Sequence, residues 1–439
     1  MALGKVSITT AAAGTPTFAE PEGVGLFLGA VTSGDGSLKA IGRETDLVAL
    51  FGAALDLVDT LEAARQNGGP NWKAWAYGHK DVQQNIDAAA AVDKTAGKVG
   101  IPVTAHAIPA GEQITLAGTT NYDGSYAVDP DTTVNEIVIV AAFAIETFAG
   151  TETVTWNQTW ETVIAAALPG CDPEFLVICK PVIAGAELTD LNIELTTQLA
   201  LHRRMFAIAA FRGYLTVTDA DWSAYLTAAA AITNAIDAAR VMIVPQVFGN
   251  ELGALAGRLQ KVLDERSPKI SRSPMRVESG SVVNPGALAA ELLDDTGAAL
   301  ELTHLEALDG DRFSVFQWYV GREGIYFADG NLLAASGSSD PAVIEYLRLL
   351  DKAARRLRQI AIAAIADDQV VNTPAGNAAF ATRLSLPLRQ MVALGEIKPL
   401  ARDALVVTWI AVDKVKVSFT VRPPNSPKDI TGEITLDTS

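Results

Sequence analysis

Strict alternation of apolar and polar residues marks both ends of this 439-residue chain. Such alternation is typical of short β-strands with one buried face. We therefore expect one strand near the start, one strand at the end of the body, and a last strand after a short gap. Eight apolar residues occupy the alternating positions: Val6, Ile8, Val415, Val417, Phe419, Ile430, Ile434 and Leu436.

Glycine and proline separate the outermost strands from the body. Proline lacks an N–H group and has a fixed φ, so it cannot continue a hydrogen-bonded ladder. An isolated strand is unstable in water, so each terminal strand needs a partner. It either folds back onto its own domain or pairs with the sheet edge of a neighbouring subunit. The predicted hinge residues are Gly14, Pro16, Pro423, Pro424 and Pro427.

The body alternates buried strands with amphipathic helices. "GVGLFLGAV", "EFLVICKPVI", "FAIAAF" and "VMIVPQVF" are apolar runs of strand length, and helical periodicity separates most of them. This alternation predicts a mostly parallel sheet covered by helices. The predicted class is therefore α/β, in a multi-domain α+β arrangement.

A block of short strands with Gly, Asn and Asp turns interrupts this pattern, and Asp123-Gly124 is a strong hairpin signal. It predicts an all-β module inserted into a discontinuous body. The predicted divisions are an N-terminal arm at 1–22, the body at 23–95 and 165–275, the inserted module at 96–164, a C-terminal core domain at 276–421 and a C-terminal arm at 422–439.

The net charge of the chain limits the kinds of molecule that it is expected to bind. The formal net charge is −17 and the pI is about 4.7. Nucleic acids and anionic membranes attract basic surfaces, so neither is expected as a partner. No apolar stretch has the length of a spanning helix, and the start of the chain does not resemble a secretory signal. We expect no membrane insertion, and assembly in a cytoplasm.

Catalytic and metal-binding patterns are not found in the sequence. The four histidines lack metal-ligand spacing, and the two cysteines, Cys171 and Cys179, are expected to be free thiols. "GVGLFLG" has Leu28 in place of the third glycine of a dinucleotide fingerprint, and the Asp129 region does not match a calcium loop. We expect no cofactor, no metal ion and no enzymatic activity.

Four basic residues recur at helical spacing late in the chain: Arg348, Lys352, Arg355 and Arg356. They would form a basic stripe along one helix of an acidic protein. Two interpretations are open. The stripe is either a solvated helix face paired with local carboxylates or a docking surface for an acidic partner.

Several segments, in order along most of the chain, resemble the contractile tail sheath proteins of phages and phage-derived injection machines. Those that carry the resemblance are "PEGVGLFLGA", "LVALFG", "NGGPNWKAWAYG", "GALAGRL", "NTPAGNAAFATRLSLPLRQMVALGEI" and "VSFTVRPPNSPKDITGEITLD".

The resemblance implies a virion structural protein. Copies would polymerise helically around an inner tube, with the inserted module facing outward and the terminal strands joining neighbours. Repacking of a metastable sheath would drive the tube through a cell envelope. The implied partners are further copies of the chain, a tail tube protein, and baseplate and tail terminator proteins. The basic stripe would face the tube, with Arg383 and Arg389 as further contacts.

Two other functions remain open on the sequence. The chain could be an α/β enzyme or ligand-binding protein with the β module as a lid, or another structural protein of a phage tail or baseplate. The scarcity of catalytic patterns argues against the enzyme, and the length of the chain argues against a tube subunit.

Overall fold

The computed structural model describes residues 23–31, 37–53, 56–80, 82–106, 108, 110–156, 159–264, 292–318, 325–338, 340–365 and 367–424. The chain divides into two compact units. The first comprises Met1–Asp264 with Ser271–Ala342, and the second comprises Glu265–Ile270 with Val343–Ser439.

A six-stranded sheet forms the body of the first unit. Its order is β13-β12-β11-β1-β3-β2, and only the edge strand β2 is antiparallel to its neighbour. Apolar runs such as that from Leu26 to Leu28 are buried on both faces, as a helix-covered parallel sheet requires. The strands are β1 Gly25–Ala30, β2 Leu38–Ile41, β3 Ala74–His79, β11 Phe175–Val182, β12 Phe206–Phe211 and β13 Val241–Pro245.

Helices connect these strands, which confirms the predicted α/β class. The helical segment after residue 45 consists of two helices, because Gly52 adopts a φ of 104° that ends the first. The helices of this unit are α1 Leu47–Phe51, α2 Asp56–Asn67, α3 Trp160–Ala167, α4 Gly185–Ala200, α5 Trp222–Thr233, α6 Glu251–Asp264 and α7 Leu302–Gly310.

Helices α2 and α6 pack with their backbones in close contact. A Cβ atom at Gly253 would lie 2.5 Å from the carbonyl oxygen of Thr60. At Gly257 it would lie 2.3 Å from the carbonyl oxygen of Ala64. Because real Cβ atoms do not approach oxygen this closely, only glycine fits at either position.

The β-rich segment between β3 and α3 has a core of its own. Its sheets have the orders β4-β10-β7-β8 and β5-β6-β9, and they enclose a buried cluster that includes Ile101, Tyr122 and Phe148. The strands are β4 Val82–Asn85, β5 Val92–Asp93, β6 Lys98–Pro102, β7 Gln113–Ala117, β8 Gly124–Ala127, β9 Glu136–Val140 and β10 Thr153–Trp156.

This segment begins before the predicted boundary at residue 96. Strand β4 pairs antiparallel with β10, and β5 pairs antiparallel with β6. Both early strands therefore belong to the module by backbone hydrogen bonding. Val82–Asn85 reads "VQQN", which carries little strand propensity.

The predicted start of a separate C-terminal domain at 276 is also wrong, because residues 292–342 belong to the first unit. Ser314 donates its N–H to the carbonyl of Ile243 at 2.8 Å, and Ala238 donates to Leu333 at 2.8 Å. These bonds attach the segment to Ala238, just before β13, and to Ile243, in the middle of that strand. It also contains an antiparallel strand pair, β14 Phe316–Trp318 and β15 Ile325–Phe327.

The second unit contains two long helices and a β-hairpin. A cluster that includes Leu349, Leu384 and Met391 forms its core. Pro387 lies inside the second helix, which continues through it rather than breaking there. The elements are α8 Ile344–Ala363, α9 Pro374–Ala393, β16 Leu405–Ala411 and β17 Lys414–Phe419.

A buried ion pair links α8 to the chain just after α9. The Lys352 ammonium lies 2.8 Å from a carboxylate oxygen of Glu396, and both side chains are about nine-tenths buried. A buried charge is tolerated when an opposite charge lies at hydrogen-bonding distance. The pair therefore fixes the position of α8 relative to the segment that leads into the hairpin.

Replacing Gly257 with alanine should lower the free energy of unfolding by about 1–3 kcal/mol, because the new methyl group overpacks the contact with α2. Urea titration of the purified subunit measures the change. The matched control is Gly310→Ala at the end of α7, where a Cβ meets nothing within 4 Å. The control should stay within about 1 kcal/mol of the wild type. Equal stabilities of the two variants would contradict the close contact.

The Lys352→Met variant should lose about 3–5 kcal/mol of stability, because it leaves the Glu396 carboxylate buried without its partner. The double variant Lys352→Met/Glu396→Leu removes both charges and should recover most of that loss. A double-mutant cycle in urea checks this. Additive effects of the two single changes would show that the pair is not coupled.

Candidate functional site

The β16–β17 hairpin carries three of the predicted strand residues. The strands are antiparallel, with Leu405 opposite Phe419, Val407 opposite Val417 and Trp409 opposite Val415. These six side chains are half-buried, and all but Trp409 belong to the apolar layer packed against the unit's core cluster. Val415, Val417 and Phe419 thus lie in a sheet made with the chain's own β16, on its inner face.

A side-chain hydrogen bond anchors the hairpin to α9. The indole N–H of Trp409 donates to the side-chain oxygen of Asn377 at 2.7 Å. A tryptophan N–H that is partly removed from solvent normally finds such an acceptor. The bond sets the position of β16 along the helix and with it the position of both strands.

The chain beyond β17 runs back along the segment that precedes β16. Thr420 donates its N–H to the carbonyl of Ala404 at 2.7 Å, and Lys398 donates to the carbonyl of Arg422 at 2.8 Å. Pro423 and Pro424 follow and have no regular secondary structure. The two prolines therefore lie where the predicted hinge begins.

The outer edges of the hairpin have no partner strand among the described residues, where the sheet consists of β16 and β17 alone. Its outer face and turn expose Val406, Ile410 and Val412, the last with 96 % of its surface accessible. Unpaired strand edges and exposed aliphatic side chains are both features of surfaces that bind another strand.

The remaining predicted arm residues lie outside the described residues. They are Val6, Ile8, Gly14, Pro16, Pro427, Ile430, Ile434 and Leu436. Their pairing and their role as linkers stay predictions.

The prediction of an exposed basic stripe is wrong for two of its four residues. Arg348 is 3 % exposed and Lys352 is 9 % exposed, and Lys352 is paired with Glu396. A charged side chain can be buried when it has a partner, so the basic stripe includes part of the buried face of α8. Arg355 and Arg356 are half-buried and keep part of their surface in solvent.

Of the two further basic residues, one is paired. The Arg383 guanidinium lies 2.5 Å from a carboxylate oxygen of Asp367, and its hydrogen bond lowers the pKa of that carboxyl. Arg389 is exposed on the same helix. Arg383 and Arg389 thus both lie on α9, and the ion pair with Asp367 leaves less unpaired charge there than the sequence suggested.

Sequence reasoning missed two buried titratable groups in the first unit. Burial, helped by the positive charge of Lys180, lowers the pKa of His79 to about 4. Burial raises the pKa of Glu251 to about 8, against the opposing effect of backbone N–H groups such as that of Phe248. Both side chains are therefore mostly uncharged at neutral pH and act as core residues. Isolated residues of this kind give no periodic or spacing signal.

The described residues contain no group of three or more His, Cys, Asp and Glu arranged to hold a metal ion. None of the described helices combines the length and apolar character that crossing a membrane requires. Cys171 and Cys179 are both free and buried, and burial raises the pKa of each thiol.

Comparison with known proteins identifies relatives of the whole chain. The profile of the DUF2586 N-terminal domain matches residues 3–331, and that of the DUF2586 C-terminal domain matches residues 340–439. The putative tail sheath protein of Haemophilus phage HP1 (strain HP1c1) is 37 % identical over 247 residues. That match covers 54 % of this chain and 64 % of the relative, which is less than two thirds of its length.

Two solved structures are similar in fold. A chain of the anti-feeding prophage baseplate in its contracted state has a TM-score of 0.51 and 14 % identity, covering 100 % of this chain and 99 % of that one. A chain of the same baseplate in its six-fold symmetrised structure has a TM-score of 0.50 and 13 % identity, covering 100 % of both chains. The expected relationship to contractile tail sheath proteins is confirmed, and the chain belongs to the DUF2586 family.

Proposed function

We propose that this protein is the subunit of a contractile tail sheath that polymerises around an inner tube. The observation that carries the proposal is the β16–β17 hairpin. It is held firmly to its unit on the inner face and has unpaired edges among the described residues. The family and the sheath-like relatives support the coarser conclusion, a structural role in a phage tail rather than an enzymatic one.

Strand exchange joins neighbouring copies in this proposal. The free edges of the hairpin present backbone N–H and C=O groups that need partners once water is excluded. The alternating residues Ile430, Ile434 and Leu436 supply a strand of the right character, and so do Val6 and Ile8 at the other end. Pro423, Pro424 and Pro427 keep the donated strand away from its own hairpin.

Donation from one copy to the next is a head-to-tail contact. Such a contact does not close on itself and generates rings or helical filaments. Two donating ends would connect each copy in two directions. The joints would persist while subunits repack from an extended into a contracted arrangement, and that repacking would drive the tube through the target envelope.

Charge supports the choice of partner for the second unit. Residues 343–424 contain twelve Lys and Arg and seven Asp and Glu, a formal charge of +5 in a chain whose total is −17. A segment of net positive charge in an acidic protein favours an acidic partner surface, here the tube. Arg355, Arg356, Arg383 and Arg389 are the predicted contacts that keep surface in solvent. The baseplate and the tail terminator would bind the ends of the polymer.

The inserted module would face outward, away from the tube. Assembly would take place in the cytoplasm of a bacterial host, and the finished sheath would be part of the virion or of an injection machine derived from one.

Deleting residues 430–439 should abolish polymerisation without unfolding the subunit, because the hairpin and both helices precede the deletion. Negative-stain microscopy and size-exclusion chromatography measure assembly, and circular dichroism checks the fold. A control variant with Ile430, Ile434 and Leu436 kept but Thr438 and Ser439 removed should still polymerise. Normal polymers from the longer deletion would rule out donation by the C-terminal strand.

Reversing the charges of Arg356 and Arg389 should weaken co-assembly with purified tubes. The reason is loss of attraction to an acidic surface, so the effect should shrink as salt rises and screening shortens the range. Co-sedimentation at about 50 and about 500 mM salt compares the variant with the wild type. Equal co-sedimentation of both proteins at low salt would exclude these residues from the contact.

A further inference from the structure

A short loop at one edge of the body sheet is held rigidly around a buried carboxylate. The loop spans residues 212–221, between β12 and α5. Asp219 is 2 % exposed and accepts hydrogen bonds from both terminal nitrogens of Arg212, at 2.5 and 2.7 Å. It also accepts from the N–H of Leu215 at 2.9 Å. A bidentate pair of this kind fixes geometry as well as charge.

Two tyrosines complete the frame of the 212–221 loop. The hydroxyl of Tyr214 donates to the carbonyl of Asp219 at 2.8 Å, and that of Tyr225 donates to the carbonyl of Arg212 at 3.0 Å. Burial alone would raise the pKa of Asp219, but the hydrogen bonds from Arg212 and Leu215 lower it overall. The carboxylate therefore stays ionised, and the loop stays braced, at every physiological pH.

The tip of this braced loop is apolar. Leu215 and Val217 point into solvent, and Val217 is 90 % exposed. Single exposed aliphatic residues are common and need no explanation. Here, however, a network of charge-assisted bonds holds the exposed pair in one conformation, which reduces the entropy that a contact through the tip would cost.

A groove of about 1000 Å³ lies at the other end of α5. Its walls come from the C-terminal half of α5, residues 234–237, the end of α7 and residues 331–338. Arg312 fixes these walls to one another, because its guanidinium donates to the carbonyls of Thr233, Ile236 and Leu333. The groove is at the upper end of the range of binding pockets, roughly 300–1,000 Å³, so it has room for a short peptide loop.

The lining of the groove suits such an occupant. Ala231, Ile236 and Leu332 contribute apolar surface, and the hydroxyl and amide groups of Thr227 and Asn234 lie beside them. A tip of the composition Leu-Thr-Val carries no charge and offers both apolar atoms and a hydroxyl. Four aspartates, Asp237, Asp309, Asp311 and Asp340, also line the groove, and their negative charge disfavours an acidic partner.

The loop cannot reach the groove of its own subunit. Helix α5 has 12 residues and is therefore about 18 Å long. The 212–221 loop precedes its first residue, and the groove lies beside its last turn. The positions of the two features in the sheet agree with this. The loop follows the carboxyl end of β12, whereas residues 234–237 precede the amino end of β13. Because the two strands are parallel, these ends lie at opposite edges of the sheet. The two features lie at opposite edges of one body, as a head-to-tail contact requires.

We propose that the Leu215–Val217 tip of one copy inserts into the α5–α7 groove of the next copy. This contact rests on the proposed sheath function, since it needs a polymer of identical subunits. It adds a body-to-body contact, independent of the terminal strands, that would set the spacing between successive copies.

Cysteine cross-linking tests the contact directly. The variant Val217→Cys/Ser336→Cys places one thiol at the tip and one at the groove. A disulfide needs Cα atoms within about 7 Å, which the length of α5 forbids within one subunit. The native Cys171 and Cys179 are buried. Mild oxidation of assembled polymers should therefore give a ladder of dimers, trimers and larger species on a non-reducing gel.

The matched control is Val217→Cys/Thr189→Cys, in which the second thiol lies on the exposed face of α4 outside the groove. It should give monomers only. A separate variant, Val217→Asp, should lower the yield of polymers roughly tenfold or more, because the carboxylate would have to be desolvated in the groove. Its thermal unfolding should match the wild type, since the residue is exposed.

The outcomes separate the two proposals. Polymers that form normally but give no ladder, or a Val217→Asp variant that assembles like the wild type, would overturn the contact and leave the sheath function intact. The groove would then serve another occupant. A wild-type protein that forms no polymers would overturn both proposals.

Discussion

The constraint on which the rest of this structure depends is that an extended backbone must find hydrogen-bond partners. A two-stranded hairpin is at best marginally stable alone, so β16 and β17 rely on the packing of their inner face against the core of the second unit. That packing stabilises the hairpin, while the pairing of β16 with β17 satisfies only one edge of each strand among the described residues. Backbone N–H and C=O groups of the kind that join the strands of the six-stranded sheet in the first unit are thus available for pairing at the edges of the hairpin in the second unit.

Buried ion pairs in both units fix the positions of the elements around them more than they raise the free energy of unfolding. Lys352 and Glu396 connect α8 to the approach of the hairpin, and Arg212 and Asp219 brace a loop beside α5. Replacing such a pair by apolar residues often costs little, whereas removing one partner costs much. Their value lies in permitting one arrangement of the surrounding elements. In the proposed polymer, a subunit that meets identical copies would benefit from surfaces with a single shape.

The pattern of apolar residues predicted the regular strands and helices of the fold. It did not predict the features that depend on contacts between residues far apart in the chain. The strands β1, β11, β12 and β13 were recognisable because their apolar runs are buried on both faces. Helix α8 carries charged and apolar stripes, and periodicity cannot say how far the buried side extends; Arg348 therefore appeared exposed although it is buried. The turn at Val412 and Asp413 lacks the Asn-Gly or Asp-Gly pair that marks a hairpin, so the pairing of β16 with β17 was not foreseen. Within the candidate functional site, the apolar face of strand β17 was predictable from the alternation of apolar and polar residues. The braced 212–221 loop was not, since Arg212 and Asp219 carry no local pattern.

The chain enters and leaves the β-rich module at neighbouring points of the body. Strand β3 ends at His79, the body resumes with α3 at Trp160, and the rings of these two residues lie 6.3 Å apart in an edge-to-face contact. Because the chain leaves and returns at neighbouring points, the order of the six-stranded sheet does not depend on what lies between them. This junction is a natural grafting position. An enzyme, a receptor-binding domain or an antigen placed there would leave the scaffold's strand order unchanged, and an ordered array of such subunits would display it at regular intervals.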